Sequence, residues 1–345
     1  MEEKTLLENA ISFIEEHLDK QKLDSLLKIR KRNFIISIVS WILLFIAFPI
    51  TIFLCAINQS LIFLSIIGFF WVFDITLFVL AITYLVKSSY QRIDAFNYIN
   101  QIEWEDIYIK SFDKYIKQFE TPFLKKVKFL NLERNYNKAP LKDYRGSPRS
   151  WLSSYIFYKT NQKRNCLNFS FEDKLVNYQF NQTIRTVEQR VRQTKNGTRV
   201  TYVYHFVATS ILKVENKKFD QSYNGILIFP GKSSENNYKT ESMQFNEKYG
   251  INVSNTDLRG PKVLRPKYID NLTKKDTQNL SGIFFSSDII IGHEYVTSME
   301  PKQEICIFYK TRKLSREKIL KVFAIKVLKD INFALEALTF LDGIY

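Results

Sequence analysis

Cysteine, histidine, glycine and proline are all scarce in this chain. Its 345 residues hold three cysteines, three histidines, ten glycines and eight prolines. Cys55, Cys166 and Cys306 lie far apart, which excludes a disulfide framework and fits a reducing compartment. His17, His205 and His293 are scattered, so nothing has metal-ligand spacing. Ten glycines leave little material for loops that wrap phosphates. No Walker-A loop, dinucleotide GxGxxG, HExxH, nucleophile elbow or CxxC pair occurs, so no cofactor is expected and no enzyme signature is visible. A Ser–Lys dyad or a carboxylate pair has no reliable linear signature, and an enzyme remains an open class on that account.

Charge is also missing over a long stretch. Between Asn33 and Val86 the one charged residue is Asp74. The stretch divides into two apolar runs, 33–57 and 61–86, of 25 and 26 residues, parted by Asn58, Gln59 and Ser60. A helix needs ~20 residues to cross a bilayer. Three intervening residues allow a tight helical hairpin. At ~1.5 Å per residue each run reaches about 37 Å, too long for a shallow re-entrant loop. The first run begins too late and runs too long for a signal peptide. Ile52, Phe53 and Leu54 before Cys55 make a poor lipid-attachment signal.

Basic residues set the orientation. Lys20, Lys22, Lys28, Arg30, Lys31 and Arg32 precede the first run, Lys87 and Arg92 follow the second, and the turn has no charge. The positive-inside rule then places both termini in the cytoplasm of a cell membrane. Residues 1–86 carry 7 basic and 8 acidic side chains, so the net +15 of the chain lies wholly after the hairpin. A basic domain there would face an inner leaflet of opposite charge. The Lys-, Asn-, Ile- and Phe-rich, Gly-poor composition of an AT-rich genome yields the same excess.

Asp74 falls near the middle of the second run, where a charge costs ~2.5–3.5 kcal/mol on insertion scales. Pro49 lacks an N–H, which frees the carbonyl of Phe45 four residues back. The two lie at matching depth. A protonated Asp74 bonded to that carbonyl is therefore expected, as a structural bond that holds the hairpin together. A proton or substrate site is the alternative.

Four regions follow: a cytoplasmic amphipathic helix at 1–32, the transmembrane helical hairpin at 33–86, a juxtamembrane helical segment at 87–132, and a cytoplasmic α+β domain at 133–345. Leu7, Ile11, Ile14, Leu18 and Leu26 give 4–30 a helical stripe. Ile93, Phe96, Ile99, Ile107, Tyr115 and Phe119 do so for 88–120, which Pro122 closes. Polar residues with Pro140, Gly146 and Pro148 make 133–150 a loop. From 151 the period changes to two, which predicts strands at 153–159, 165–171, 175–181, 225–229, 283–291 and 303–309, with helices at 266–275 and 315–341.

Asn196-Gly197 is a type I′ hairpin signal. Pairing about it makes facing positions sum to 393. One face then carries Val187, Val191, Val200, Tyr202, Tyr204 and Phe206. The other carries Arg190, Arg192, Arg199 and an opposed Glu188–His205 pair. A half-buried sheet with a basic outer face is expected, and Arg190, Arg192 and Arg199 are the candidate binding surface. Glu188–His205 reads as a surface pair rather than an acid–base centre. The fold class is thus α+β: a two-span transmembrane helical hairpin followed by a cytoplasmic domain with a largely antiparallel sheet flanked by helices.

The order of these parts resembles a bacterial membrane-protein family, that of the domain of unknown function 3137. The likeness is carried by RTVEQRVRQTKNGTRVTYVYHFVAT, GILIF at 225–229, FNEKYGINVSN at 245–255, VLRPKYIDNL, IFFSSDIIIGHEY and the final helix. Val207 and Ala208 stand where that family tends to have Gly. The resemblance implies a membrane-anchored bacterial protein, with a mollicute-like source suggested by the composition, and implies no activity. The expected function is an interaction or scaffold module at the inner membrane face. Its partners would be the bilayer itself and an anionic lipid or a membrane protein, with nucleic acid the weaker alternative. A membrane-associated enzyme and an accessory subunit of a transport or secretion assembly, with Asp74 at its interface, are the alternatives.

Overall fold

The computed structural model describes residues 2–57, 61–118, 121–133, 142–145, 165–180, 184–194, 197–215, 218–297 and 315–345. The chain divides into two compact units. One comprises Ile11–Glu103 and Ile307–Phe323; the other comprises Met1–Ala10, Trp104–Cys306 and Ala324–Tyr345.

Helix α1 (Glu2–Glu16) buries Leu6, Ala10 and Ile14, one every turn. The single helix expected over 4–30 is broken at 17–19. Asp19 accepts from the backbone N–H of Gln21 at 2.9 Å and of Lys22 at 3.1 Å, an N-cap that starts a new helix. That helix, α2 (Lys20–Ile57), and α3 (Leu61–Asn100) are both long and apolar enough to cross a membrane. Neither pauses at the expected boundaries of 33 and 87.

Small side chains let α2 and α3 approach: Ala47 and Ala81 are buried, and the Ser37 hydroxyl donates to the Ala81 carbonyl at 2.8 Å. Nearer the polar end, Asn33 Nδ2 donates to Gln91 Oε1 at 2.9 Å, and the Asp19 N–H donates to the Tyr98 hydroxyl at 2.8 Å. The C-terminal helix contributes to this unit through residues 316–323, where Arg316 meets Asp24 at 2.6 Å.

The second unit is α+β. Helix α4 (Trp104–Ile116) precedes strands β1 (Val127–Glu133), β2 (Lys142–Arg145), β3 (Asn165–Phe171), β4 (Lys174–Phe180), β5 (Ile184–Thr194) and β6 (Gly197–Glu215). Then come β7 (Leu227–Pro230), α5 (Met243–Lys248), β8 (Tyr249–Ile251), α6 (Arg259–Val263), α7 (Pro266–Thr273), β9 (Leu280–Phe285), β10 (Asp288–Thr297) and α8 (Arg316–Thr339). Eight strands run in the hydrogen-bonded order β1-β3-β4-β6-β10-β9-β7-β8. Strand β5 pairs with β6, and β2 pairs with β5; that last pair alone is parallel among the described strands.

Several elements differ from the sequence expectation. The segment expected to be helical to 120 stops at Ile116, and strand β1 follows before 133. The expected loop at 133–150 contains β2, whose parallel pairing with β5 leaves no short-range pattern. The single strand expected at 283–291 is two strands. Ser286 and Ser287 turn the chain between them, and the Ser286 hydroxyl donates to the Asp288 carbonyl at 2.8 Å. The strands expected at 153–159 and 303–309 lie outside the described residues.

The core lies on one face of the sheet. Leu167, Phe169 and Phe171 of β3 alternate onto it, and Phe112 of α4 sits over Phe169 with ring centroids 5.4 Å apart. The opposite face carries a polar row: Asn131, Asn168 and Asn177 stand side by side on β1, β3 and β4, hydrogen-bonded to one another. The β3–β4 turn is made by Glu172 and Asp173, both at positive φ (44° and 63°), as a primed hairpin turn requires.

Candidate functional site

Asp74 and Pro49 belong to the helical unit. Asp74 is 3 % exposed and Thr51 fully buried. The hydrogen-bond partner of Asp74 is the hydroxyl of Thr51, at 2.7 Å from Oδ2, and not the carbonyl of Phe45. Matching depth in two helices fixes which turns are level, but not which side of a helix faces inward. Thr51 is two residues past Pro49 and points at α3. The Thr51 hydroxyl also lies 3.1 Å from the Ala47 carbonyl. One hydroxyl hydrogen cannot serve both contacts in full. Asp74 Oδ1 is buried with no hydrogen-bond partner among the described residues. A cavity of about 380 Å³ opens beside it, walled by Trp41, Phe45, Phe48, Trp71 and Phe78. Its lining is apolar apart from Asp74.

The second candidate, the β5–β6 hairpin, has a different register from that expected. Its partners sum to 391, as in Val191↔Val200 and Arg192↔Arg199, and not to 393. A shift of two leaves each side chain on its expected face. Glu188 therefore opposes Val203, and His205 reaches it along a diagonal, Nε2 to Oε2 at 3.0 Å. Arg190 also bonds Glu188, at 3.1 Å, and with His205 holds that carboxyl below its usual range.

The burial differs as well. Strand β10 pairs with β6 from Phe206 onward, and β2 pairs with β5 as far as Val187. From Glu188 to the turn and back to Val203 the hairpin is thus a two-stranded ribbon among the described residues. Both of its faces are open there. Val191 and Tyr202 are 60 % exposed and Val200 is 43 % exposed, where a half-buried face was expected. Arg190, Arg192 and Arg199 are exposed on the other face, with Arg192 directly opposite Arg199. Like charges so placed are destabilising.

Sequence reasoning missed a buried charged trio. Asp330 on α8 is 1 % exposed. It accepts from the Tyr108 hydroxyl at 2.7 Å and from Lys326 Nζ at 3.1 Å. Burial is the main force that raises its pKa, opposed by Lys326 and the Tyr108 bond. The signal was present as an acid inside the apolar stripe of Phe323, Val327 and Ile331, with a lysine four residues before it. His293 is buried on β10 against the ring of Phe340, and burial lowers its pKa to about 4. Among the described residues no three metal-ligating side chains gather into a group. No protein-family model, no curated protein and no solved structure matches the chain.

Proposed function

We propose that this chain is a two-span membrane protein with both termini in the cytoplasm. Its α+β unit is an interaction module that engages an anionic surface at the inner face of the membrane. The observation that carries this reading is the ribbon of β5 and β6. Among the described residues it runs past its flanking strands for about seven residues a side, roughly 23 Å at ~3.3 Å per residue. Its tip places arginine opposite arginine on one face and Val191, Val200 and Tyr202 on the other. Repulsion of that kind is relieved by an anionic partner, and aromatic and aliphatic groups beside cations suit the interfacial zone of a lipid surface.

The test uses the full chain in zwitterionic nanodiscs, mixed with separate vesicles containing phosphatidylglycerol. Co-flotation should fall steeply as salt rises. The triple variant Arg190→Ser, Arg192→Ser, Arg199→Ser should lose most of the binding at low salt. Equal binding by wild type and triple variant would refute the assignment to this ribbon. Binding to nucleic acid but not to vesicles would replace lipid by nucleic acid as the partner.

A further inference from the structure

The interaction module leaves the cavity beside Asp74 without a role. Asp74 lies on α3 and Thr51 on α2, and the Thr51 hydroxyl donates to Asp74 Oδ2 at 2.7 Å. Oδ1 is buried with no hydrogen-bond partner among the described residues, on a side chain that helps wall a cavity of about 380 Å³. Pockets for small molecules run from ~300 to ~1,000 Å³, so this one suits the head of a ligand and not a bulky body. The rings of Trp41, Phe45, Phe48, Trp71 and Phe78 make most of the remaining wall. Two pairs of rings meet edge to face across the helices. Trp41 and Phe78 have centroids 5.9 Å apart at 87°, and Phe48 and Trp71 have centroids 6.1 Å apart at 90°. An edge-to-face pair engages one face of one ring, which leaves other ring faces free.

The chemistry of the walls selects the occupant. Residues 33–86 contain no lysine, arginine or histidine. Along α3 the next basic residue after Asp74 is Lys87, 13 residues on, about 20 Å at ~1.5 Å per residue. Along α2 the nearest to Thr51 is Arg32, 19 residues back, about 28 Å on the same scale. Neither span therefore supplies a cation level with the carboxyl. A water needs ~2–4 polar partners, and the cavity wall offers Asp74 alone. An acyl chain would cover the rings and give Oδ1 nothing. An ammonium group answers both features. It donates to the carboxyl in a charge-assisted hydrogen bond, and ring faces attract a cation held within ~6 Å of their centroids. A lone charge at this depth is costly, and pairing it with its opposite reduces that cost.

We infer that this cavity is a binding site for a lipophilic amine. Its ammonium group pairs with Asp74 among the rings, and its apolar body lies along α2 and α3. Phe45 is 76 % exposed, and Phe48, Trp71 and Phe78 are exposed as well, so the site is reached from outside the helix pair. That this outside is lipid rests on the two-span reading; the site itself rests on the carboxyl and the rings.

The full chain in phosphatidylcholine nanodiscs is labelled with dodecylamine that carries a photoreactive diazirine, and the labelled residues are mapped by mass spectrometry. Unmodified dodecylamine, dodecanol and dodecanoate, which share one chain and differ in head group, serve as competitors. Saturable labelling is expected within 41–49 and 71–78. The amine should displace it at concentrations at least tenfold below those of the alcohol, and the carboxylate should not displace it. Asp74→Asn keeps an acceptor oxygen and removes the charge. It should weaken competition by the amine at least tenfold and leave that by the alcohol within twofold. If that variant fails to fold, Trp71→Leu keeps the wall apolar, removes a ring, and should narrow the preference for amine over alcohol. Equal competition by amine and alcohol in the wild type overturns the inference and leaves a groove for lipid chains. So does an amine affinity unchanged in Asp74→Asn, or a preference unchanged in Trp71→Leu. Flotation with the nanodisc lipid reads insertion separately, so a failure of the two-span reading is not mistaken for a failure of the site.

Discussion

Replacing Asp330 separates the cost of a buried charge from the value of its ion pair. Asp330→Ala leaves the Lys326 ammonium, whose side chain is 12 % exposed, without its counter-ion. Removing one partner of a buried pair costs ~3–5 kcal/mol. The Tyr108 hydroxyl also loses its acceptor, worth ~1–3 kcal/mol more when buried. At ~2–4 °C per kcal/mol for a unit of this size, the first term alone lowers the melting temperature by roughly 6–20 °C. The pair Asp330→Asn with Lys326→Met should behave otherwise. It removes both charges and keeps an oxygen for Tyr108, so it should stay within ~1 kcal/mol of wild type or exceed it.

The pH dependence of that comparison has a definite sign. The folded pKa of Asp330 is raised, so its contribution is most favourable at low pH and declines as pH rises through the folded value. The double variant should therefore gain on wild type from acid toward neutral pH. Scanning fluorimetry of the full chain in detergent reads both effects. An Asp330→Ala variant melting within 2 °C of wild type, or a double variant falling as far as the single, would refute the reasoning.

Thr51→Val should loosen the α2–α3 pair by about 0.6 kcal/mol and Asp74→Asn should be tolerated, because intramembrane hydrogen bonds are weak on average; loss of function in Asp74→Asn with normal insertion would point to a proton-linked role. Topology is read by cysteine labelling in intact cells on a Cys55→Ser background. The impermeant reagent should reach Ser60→Cys but not Ser89→Cys, Ser89 being exposed where Ser88 is buried; the reverse pattern would invert the orientation. His293 keeps its neutral form by burial, with a folded pKa of about 4 against ~6.5 unfolded, so stability present above pH 6.5 is lost as pH falls toward 4. That loss is about 2 kcal/mol at pH 5, and a His293→Asn variant whose denaturant midpoint falls as steeply between pH 7 and 5 as that of wild type would contradict it.

The large features were legible because they rest on composition and period. Two apolar runs of 25 and 26 residues that hold one charge between them announce two long helices, and the helices at Pro266 and Arg316 announce themselves by a proline at the first turn and a four-residue stripe. The Asn196-Gly197 signal located the hairpin and its faces, but the register moved by two because alternation repeats every two residues and cannot fix it. Burial of the hairpin was not legible, since Val191 and Tyr202 look like core positions unless one knows that no described strand flanks them. Asp74 was found from its cost, whereas Thr51 was missed because a hydroxyl in an apolar helix carries no cost when it bonds back to its own turn. Lys174 and Lys218, over the ring of Tyr345, come from separate segments, and proximity of that kind has no trace in linear order.

The two long helices are bonded at four levels, from Asp19–Tyr98 through Asn33–Gln91 and Ser37–Ala81 to Thr51–Asp74. Neither can slide or turn against the other without breaking one of these bonds. They also run unbroken beyond the apolar runs, α2 by the 13 residues from Lys20 to Arg32, about 20 Å at ~1.5 Å per residue. If the pair crosses the bilayer as proposed, it is a lever with its fulcrum at the headgroups. A helix longer than the local hydrocarbon layer tilts to fit it, and transmembrane helices are tilted by about 20° on average. A change of that size would carry the outer end of this lever sideways by about 7 Å, so the thickness of the surrounding lipid would be converted into a displacement above it.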